Sequence, residues 1–283
     1  MTEQAELTIA LPVYNGERFL DEALANSLAD RLIKVCVVVY DNASTDRSAE
    51  IATAWSEKDS RVRLVKRPAN IGALRNFADA VAQAETPYFA WRAYDDLSSP
   101  GYFETLIDGL KAAPGAILAI PNCRTVKPNR EDRITSIAAG TVPSDKAISD
   151  AHPAWLYGVW RTHFAQEAAA WTSANAPSLW GWDHLALLHA ALAGTFIGCP
   201  QAIFIRRLTK GPEKARAGFS SDEKQNLRAQ TLQVGSQLIS SHKTRDQKCY
   251  LDLWEKLVER RIVRRRIRKL GDVVAKLGIF IKN

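Results

Sequence analysis

Apolar and polar positions alternate in blocks along the first 120 residues, and each block has the length of a strand or a helix. The strand-like runs are ELTIALPVY, IKVCVVVYD, VRLVKR and YFAWRAYDD. Helical periodicity marks ERFLDEALANSLAD, TDRSAEIATAWSEK and GALRNFADAVAQAE, and we expect Ser44 or Thr45 to cap the second of these helices. Strands that alternate with such helices predict βαβ units, a parallel sheet and right-handed crossovers.

Four carboxylates stand where an α/β sheet places ligands, beyond the carboxyl ends of its strands. Asp41 ends an apolar strand, where it binds a base or ribose or else caps the next helix. Asp95 and Asp96 end the strand YFAWRA, where adjacent carboxylates suit Mg²⁺ or Mn²⁺ bound to phosphate, or else form a polar turn. Asp183 begins a helix in WGWDHL and is either a general base or an N-cap.

The pattern loosens between residues 115 and 210. This segment holds five tryptophans that either pack in the core or form a platform for a sugar, namely Trp155, Trp160, Trp171, Trp180 and Trp182. The uncharged stretch 184–205 is long enough for a membrane span, but Gly194 divides it into a helical and a strand-like half, so we expect it in a soluble core. Residues 220–283 have the pattern of helices.

The composition is that of a globular protein with a sizeable core. Of the 283 residues, 46% are hydrophobic and 24% are charged, which excludes a disordered chain and a disulfide-stapled peptide. The four cysteines have no close pair, so we expect free thiols. Because no signal sequence begins the chain, we expect a cytoplasmic protein.

The formal net charge of +7 belongs to one segment, residues 254–283, and the rest of the chain is neutral. Apolar residues recur in this segment at near-helical intervals, so it predicts a basic amphipathic helix that lies on an anionic membrane at the inner face of the cell. A helix packed on the body of the protein, or a homodimer contact, explains the pattern as well. We expect a chain cut after residue 253 to stay folded, and we expect no nucleic-acid binding because the neutral body offers no basic groove.

Five separated segments follow one another in an order that points to a family: LPVYNGERFLDEAL, VVVYDNASTDRSAEIA, NIGALRNFADAVAQAETPYFAWRAYDD, YGVWR at 157–161 and WGWDH at 180–184. Over about residues 7–208 the chain resembles the family 2 inverting glycosyltransferases of the GT-A fold, most of all bacterial members that build envelope polysaccharides. The resemblance implies an α/β fold with a mostly parallel central sheet flanked by helices. It also implies sugar transfer, with inversion, from a nucleotide-diphosphate sugar, a UDP-sugar in the first instance, to a hydroxyl of a glycan or lipid-linked acceptor.

The resemblance also divides the chain and assigns roles by position. Residues 1–120 would form the nucleotide-sugar-binding half, 121–215 the acceptor-binding half of the same domain, and 216–283 a helical basic extension. The donor pocket would be lined by Pro12, Tyr14, Asn15, Asp41, Asn70, Arg75 and Tyr94. Within this pocket, Asp41 would bind the base of the nucleotide, and Arg75 would meet the base or the diphosphate.

The same resemblance assigns the reacting groups. Asp95 matches the last position of the D-x-D motif and, with Asp96, would bind Mn²⁺ or Mg²⁺, while Asp183 would deprotonate the acceptor. Ala93 replaces the first Asp of D-x-D, and the stretch 206–208 lacks the His that many members place there, so strong metal dependence is in doubt. These departures keep open a nucleotide-sugar-binding scaffold without turnover. A sugar nucleotidyltransferase is a further alternative, although only Gly16 stands where that class has a Gly-rich phosphate loop.

Overall fold

The computed structural model describes residues 5–30, 32–128, 130–176, 181–208, 220–242 and 246–260. Its first part alternates strands and helices, as the sequence pattern predicts. The elements are β1 (Leu7–Val13), α1 (Leu20–Ser27), β2 (Val35–Asp41), α2 (Ser48–Lys58), β3 (Val62–Lys66), α3 (Ala73–Ala82), β4 (Tyr88–Trp91), β5 (Leu97–Ser98) and α4 (Tyr102–Ala112). Strands β1, β2 and β4 are almost wholly buried, because helices cover both faces of a parallel sheet.

The second part adds strands and helices that the looser sequence pattern does not delimit. They are β6 (Ala116–Lys127), β7 (Arg130–Thr135), β8 (Gly140–Val142), α5 (Ser144–Ser149), a 3-10 helix (Pro153–Tyr157), β9 (Val159–Arg161), α6 (Thr162–Asn175), α7 (Trp182–Ala193), β10 (Thr195–Arg207) and α8 (Ser221–Ser241). A last helix, α9, covers 247–260. The uncharged stretch 184–205 divides between α7 and β10, which confirms the expected helix and strand.

One sheet joins both parts in the order β3-β2-β1-β4-β9-β6-β10-β5. The first four strands are parallel to one another, and β6 is parallel to β10. The short strand β9 is antiparallel to both β4 and β6, so it joins the two parallel groups. The carboxyl ends of β1, β2 and β4 therefore lie along one edge of the sheet, where the predicted site residues follow them.

The tryptophans mainly build the core. Trp155, Trp160 and Trp182 are buried, and the ring of Trp160 meets that of Trp91 edge to face with 5.8 Å between centroids. Trp171 is half-buried, and Trp180 lies outside the described residues. The cysteines are free thiols, as predicted, and three of them are wholly or partly buried. Of the two interpretations of the tryptophan-rich segment, burial of these rings supports packing in the core.

The C-terminal helices pack against the same core. Trp254 in α9 is fully buried and donates a hydrogen bond from Nε1 to the carbonyl of Leu232 in α8 (3.2 Å). Leu257 and Val258 are buried beside it. The expectation that a chain cut after residue 253 stays folded is therefore at odds with the structure, since the cut removes core residues; the remainder of the basic segment, 261–283, lies outside the described residues. Among the helices of the described residues, none has the length and apolarity to cross a membrane.

Candidate active site

The loop after β1 is held to the loop after β2 by reciprocal hydrogen bonds. Asn15 has a positive φ of 54° and donates its backbone N–H to Ser44 Oγ (3.0 Å), while its side-chain Oδ1 accepts from the N–H of Thr45 (2.8 Å). Asn adopts this left-handed backbone conformation more readily than most residues, because its short polar side chain can hydrogen-bond locally. Asn15 thus fixes the mouth of the predicted donor pocket rather than projecting freely from it.

These contacts also explain why α2 begins later than predicted. Ser44 and Thr45 are not its N-cap, because both are engaged with Asn15; the helix begins at Ser48. Asp46 Oδ1 accepts from the Ser48 N–H (2.9 Å), and its Oδ2 accepts from the Glu17 N–H (3.0 Å). Burial alone would raise the pKa of Asp46, but these hydrogen bonds hold it below the usual value.

Asp41 and Asn70 lie beside this loop pair. Asp41, opposite Val13 in the β1–β2 register, is buried, and its Oδ1 accepts from the Ser44 N–H (3.2 Å). Asn70 Oδ1 accepts from Asn42 Nδ2 (2.9 Å), so the loop before α3 is tied to the end of β2. The contacts of Asp41 and Asn70 within the chain shape the pocket, and their predicted contacts with a nucleotide remain a prediction.

The other predicted donor-pocket residues lie around the same edge. Pro12 is buried within β1, whereas Tyr14 is 44% exposed, and Arg75 is exposed in the first turn of α3. The ring of Tyr94 packs over Gly16, where an added Cβ would lie 2.7 Å from Tyr94 Cδ2. Gly16 is therefore required for close packing of the loops after β1 and β4.

The paired carboxylates after β4 differ in environment. Asp96 is buried, and its Oδ1 accepts from the backbone N–H of Arg207 (2.7 Å), whereas Asp95 is half-buried. Burial and the adjacent charge of Asp95 raise the pKa of Asp96 to about 7, although the Arg207 N–H and the charges of Arg206 and Arg92 oppose the shift. Asp95 is therefore the better placed of the two to meet a cation, and both remain predicted metal ligands.

Arg207 holds in place the loop that contains Asp95 and Asp96, called the carboxylate loop below. Its Nε donates to the carbonyl of Asp95 (2.5 Å), its Nη1 pairs with Glu22, and its guanidinium lies 4.9 Å from the ring centroid of Phe19. The backbone of Asp95 and Asp96 is thus bound to the end of β10 and, through Arg207, to α1.

Asp183 is the second residue of α7 and lies beside His184. Asp183 Oδ1 is 2.9 Å from the backbone N of His184 and 2.9 Å from its Nδ1. Both side chains are largely buried, with 16% of the Asp183 side chain and 7% of that of His184 exposed. The imidazole therefore orients the carboxylate that the sequence predicts as the base.

The buried phenol of Tyr157 responds to the charges of all three carboxylates. Burial raises the pKa of its phenol far above the usual value, and the charges of Asp96, Asp95 and Asp183 raise it further. Its ring is stacked on Phe204 with 4.8 Å between centroids. The carboxylates after β4 and at the start of α7 thus influence the pKa of the same buried phenol.

The described residues contain no group of three His, Cys, Asp or Glu side chains that could hold a metal ion. A divalent cation bound by Asp95 and Asp96 would therefore need further oxygens. Carboxylate oxygens are the ligands that Mg²⁺ and Mn²⁺ prefer, and phosphate oxygens with water can complete the octahedron. The residues present fit a cation that is shared with a diphosphate.

Three contributors are not among the predicted site residues. Tyr157 lies within the motif YGVWR, but the motif gives no sign that the pKa of its phenol responds to the carboxylates. Asn42 is buried between Asn70 and the N–H of Ile71, to which its Oδ1 is bound (2.9 Å). Arg206 is exposed at the end of β10, and its charge reaches Asp96, His152 and Tyr157. In the sequence, Arg206 is marked by its place as a cation at a strand end and by its position in the stretch 206–208, which the family resemblance singles out.

The family profile described as Glycosyl transferase family 2 matches residues 8–167, more than half of the chain. The chain belongs to glycosyl transferase family 2. Curated relatives include the uncharacterized glycosyltransferase EpsJ of Bacillus subtilis, 28% identical over 36% of this chain and 29% of EpsJ, and an uncharacterized glycosyltransferase of Haemophilus influenzae, 34% identical over 32% of this chain and 36% of that protein. The match to each relative thus spans about a third of its length.

Solved structures share the fold of this family 2 chain at low sequence identity. Staphylococcus aureus TarS 1–349 in complex with UDP-GlcNAc matches with a TM-score of 0.69 and 15% identity over 88% of this chain and 71% of that one. The mannosyltransferase PcManGT from Pyrobaculum calidifontis, in complex with GDP-Man and Mn²⁺, matches with a TM-score of 0.57 and 17% identity over 99% of this chain and 82% of that one. These likenesses confirm the α/β GT-A fold that the sequence predicts.

Proposed function

We propose that this protein transfers a sugar from a nucleoside diphosphate donor to an acceptor hydroxyl, with inversion at the anomeric carbon. The observation that carries the proposal is that a chain of glycosyl transferase family 2 has Asp95 and Asp96 after β4 and Asp183 in the first turn of α7. The charges of all three raise the pKa of Tyr157. A single displacement needs one group near the leaving diphosphate and a base near the attacking hydroxyl. Here the loop after β4 and the first turn of α7 would supply carboxylates for those two functions.

A UDP-sugar is the donor that we propose. TarS was crystallised with UDP-GlcNAc and with UDP, and these nucleotides are the first to test here. PcManGT was crystallised with GDP-Man, so the shared fold accepts more than one base. In this chain the proposed pocket lies between the loops after β1, β2 and β4, with Asp41 at its base and Arg75 at its rim.

Asp95 would hold the divalent cation, Mn²⁺ or Mg²⁺, together with the diphosphate oxygens. When bound, the cation would offset the negative charge that the diphosphate gains as it leaves. Arg206 is exposed, and its positive charge would help to stabilise the same negative charge on the diphosphate. Asp96, whose Oδ1 accepts from the N–H of Arg207, fixes the carboxylate loop against the end of β10.

Asp183 would act as the base. As the acceptor oxygen forms its bond to the anomeric carbon, the bond from that carbon to the diphosphate oxygen breaks. The acceptor proton passes to Asp183, and the electron pair departs with the diphosphate. His184, whose Nδ1 lies 2.9 Å from Asp183 Oδ1, keeps the carboxylate in one orientation during this transfer. Inversion follows because one displacement reverses the configuration once.

We place this reaction in cell-surface polysaccharide synthesis at the cytoplasmic face of the membrane. The basic character of residues 254–283 supports this placement, because several Lys and Arg residues near an anionic leaflet contribute about 1 kcal/mol each. A glycan or lipid-linked acceptor would be presented at the same surface.

Substitution of the proposed base separates catalysis from donor binding. For Asp183→Asn we expect UDP affinity with Mn²⁺, measured by calorimetry, to stay within about twofold, because the side chain keeps its shape. We expect transfer from UDP-GlcNAc, to water or to an acceptor, to fall by about 10² to 10⁴-fold. Asp95→Asn should instead abolish the Mn²⁺-dependent part of UDP binding, and Asp108→Asn, which removes an exposed carboxylate of α4, is the control.

Near-normal transfer by Asp183→Asn would show that the base is elsewhere. Equal UDP affinity with and without Mn²⁺ in the wild type would exclude a metal at Asp95. Nucleotide binding by the wild type without any transfer would favour the scaffold alternative.

A further inference from the structure

A cavity of about 850 Å³ opens beside the candidate base. Its walls come from β6, β7, β8, α5 and α9, and His184 forms part of its lining. Asp183 is not part of this lining, and His184, whose Nδ1 lies 2.9 Å from Asp183 Oδ1, is the lining residue that connects the cavity to the candidate base. The cavity is separate from the loops after β1 and β2 that form the proposed donor pocket.

The charge of the cavity lining is positive. Arg133, Lys146 and Arg260 line it against one carboxylate, Asp150. In the part of the chain that the structure describes, neither Arg133 nor Lys146 forms an ion pair within 4.0 Å. Arg260 donates from Nη2 to the carbonyl of Ser149 (2.6 Å), so its guanidinium is fixed between α9 and α5. The surplus of about two positive charges in the lining suits a dianion.

The remaining lining is partly apolar and partly hydroxyl-bearing. Its apolar part includes Trp155, which is 4% exposed and so offers little of its indole to a ligand. Its hydroxyl-bearing residues are Thr135, Ser136, Thr141 and Ser149, and such groups both donate and accept hydrogen bonds. The cavity therefore combines hydroxyls for a sugar with cations for an attached anion.

His152 adds a neutral hydrogen-bond donor to the lining. Its Nδ1 accepts from the N–H of Ala154 (3.2 Å), which leaves the proton of a neutral imidazole on Nε2. Burial, followed by the charges of Arg206, His184 and Arg133, lowers the pKa of His152 to about 4, and the charge of Asp183 opposes this shift. The ring is therefore neutral near pH 7 and can donate from Nε2 to an uncharged hydroxyl or to a phosphate oxygen.

We infer that this cavity is the acceptor subsite and that it selects an acceptor sugar carrying a phosphate, held by Arg133 and Lys146 while the sugar lies toward His184, the neighbour of Asp183. The inference rests on the proposed function and adds to it the chemical class of the acceptor. A phosphate with about two negative charges matches the surplus charge of the lining better than a single carboxylate does. The phosphate belongs either to a soluble sugar phosphate or to the linkage of a sugar to an alkyl chain.

Calorimetry with N-acetylglucosamine 1-phosphate tests the inference when the donor pocket is filled with saturating UDP and Mn²⁺. We expect the sugar phosphate to bind under these conditions, and Arg133→Gln and Lys146→Gln each to weaken its binding by about tenfold, since a charged hydrogen bond is lost. Arg130→Gln, an exposed substitution on the same strand β7 outside the cavity lining, is the matched control and should change affinity by less than about twofold.

Parallel titrations identify the source of the anion. Stronger binding of an alkyl-linked N-acetylglucosamine diphosphate in detergent than of the soluble sugar phosphate would assign the phosphate to a lipid linkage, and the reverse order would assign it to a soluble acceptor. Equal binding of glucuronic acid, or of uncharged N-acetylglucosamine, would overturn the choice of phosphate.

The two proposals fail in different ways. If the wild type does not bind the sugar phosphate in saturating UDP, the acceptor inference is overturned and the proposed function stands. The same holds if Arg130→Gln and Arg133→Gln weaken its affinity equally. Absence of UDP binding in a separate titration would overturn the proposed function itself.

Discussion

At the scale of single residues, His152 gives a testable link between the cavity and stability. Its pKa in the folded protein is about 4, against about 6.5 in an unfolded chain. The unfolded chain therefore takes up a proton at His152 below about pH 6.5, whereas the folded protein resists it until about pH 4. By linkage, protonation of His152 in the unfolded chain lowers the free energy of unfolding progressively as pH falls from about 6.5 to about 4. Above about pH 6.5 His152 is neutral in both states and costs no stability.

His152→Asn should reduce this loss, because an Asn side-chain oxygen can still accept from the N–H of Ala154. We expect the free energy of unfolding, from urea titrations at pH 7, 6 and 5, to fall less steeply toward low pH in the variant than in the wild type. His163→Asn, at the start of α6, provides the matched substitution. A variant with the same pH dependence as the wild type would contradict the role given to His152.

Residue types near strand ends reveal part of the site from sequence alone. Asp41, Asp95 and Asp183 stand at predicted element ends, so a sheet topology suffices to suggest that they gather. Tyr157 and Arg206 cannot be found in that way, because their contribution depends on the packing of a 3-10 helix and of β10 against the carboxylate loop. The positive φ at Asn15 is likewise set by its tertiary contacts with the loop after β2.

At the scale of elements, α8 and α9 pack closely at Gly235. A Cβ added to Gly235 would lie 2.3 Å from the indole of Trp254, nearer than any Cβ contact allows. Gly235→Ala should raise helix propensity by about 1 kcal/mol yet lower stability overall, because overpacking costs about 1–3 kcal/mol and Trp254 is fully buried. Thermal unfolding should show a lower midpoint than in the wild type.

Ser240→Ala, at an exposed position of the same helix, is the control and should change stability by less than about 0.5 kcal/mol. A Gly235→Ala variant with an unchanged or higher midpoint would show that α9 does not pack on α8 in this way.

The elements differ in how much of them the sequence predicts. The alternating pattern gives β1, β2, β3 and the helices between them, since each amphipathic period is complete. The predicted start of α2 is wrong by a few residues, because tertiary hydrogen bonds to Asn15 compete with capping at Ser44 and Thr45. The short strand β9 that joins the two parallel groups carries no periodic signal at all, since three residues are fewer than a pattern needs.

At the scale of the whole molecule, the boundary of the basic segment matters. A chain cut after residue 253 loses Trp254, Leu257 and Val258 from the core, and loss of one such large side chain costs about 3–5 kcal/mol. A chain cut after residue 260 keeps these residues and loses eight Lys or Arg residues and one Asp. We expect only the second form to unfold at a midpoint close to that of the full chain.

The same second form tests the predicted membrane contact. We expect the full chain to sediment with vesicles that contain phosphatidylglycerol, and to be released by salt, because the attraction is electrostatic. The chain cut after residue 260 should remain in solution at both salt concentrations. Equal sedimentation of the two forms would exclude residues 261–283 as the membrane contact.

Arg207 joins parts of the chain that are synthesised far apart in time. It binds Asp95 and Asp96 on one side and Glu22 on the other, a separation of 185 residues for the last pair. During synthesis, the segment that holds the carboxylates leaves the ribosome more than 100 residues before the arginine that fixes it. The loops of the proposed donor pocket are therefore synthesised while the proposed metal-binding loop still lacks its anchor. We expect a nascent chain to become competent for the proposed transfer only once β10 has emerged and docked.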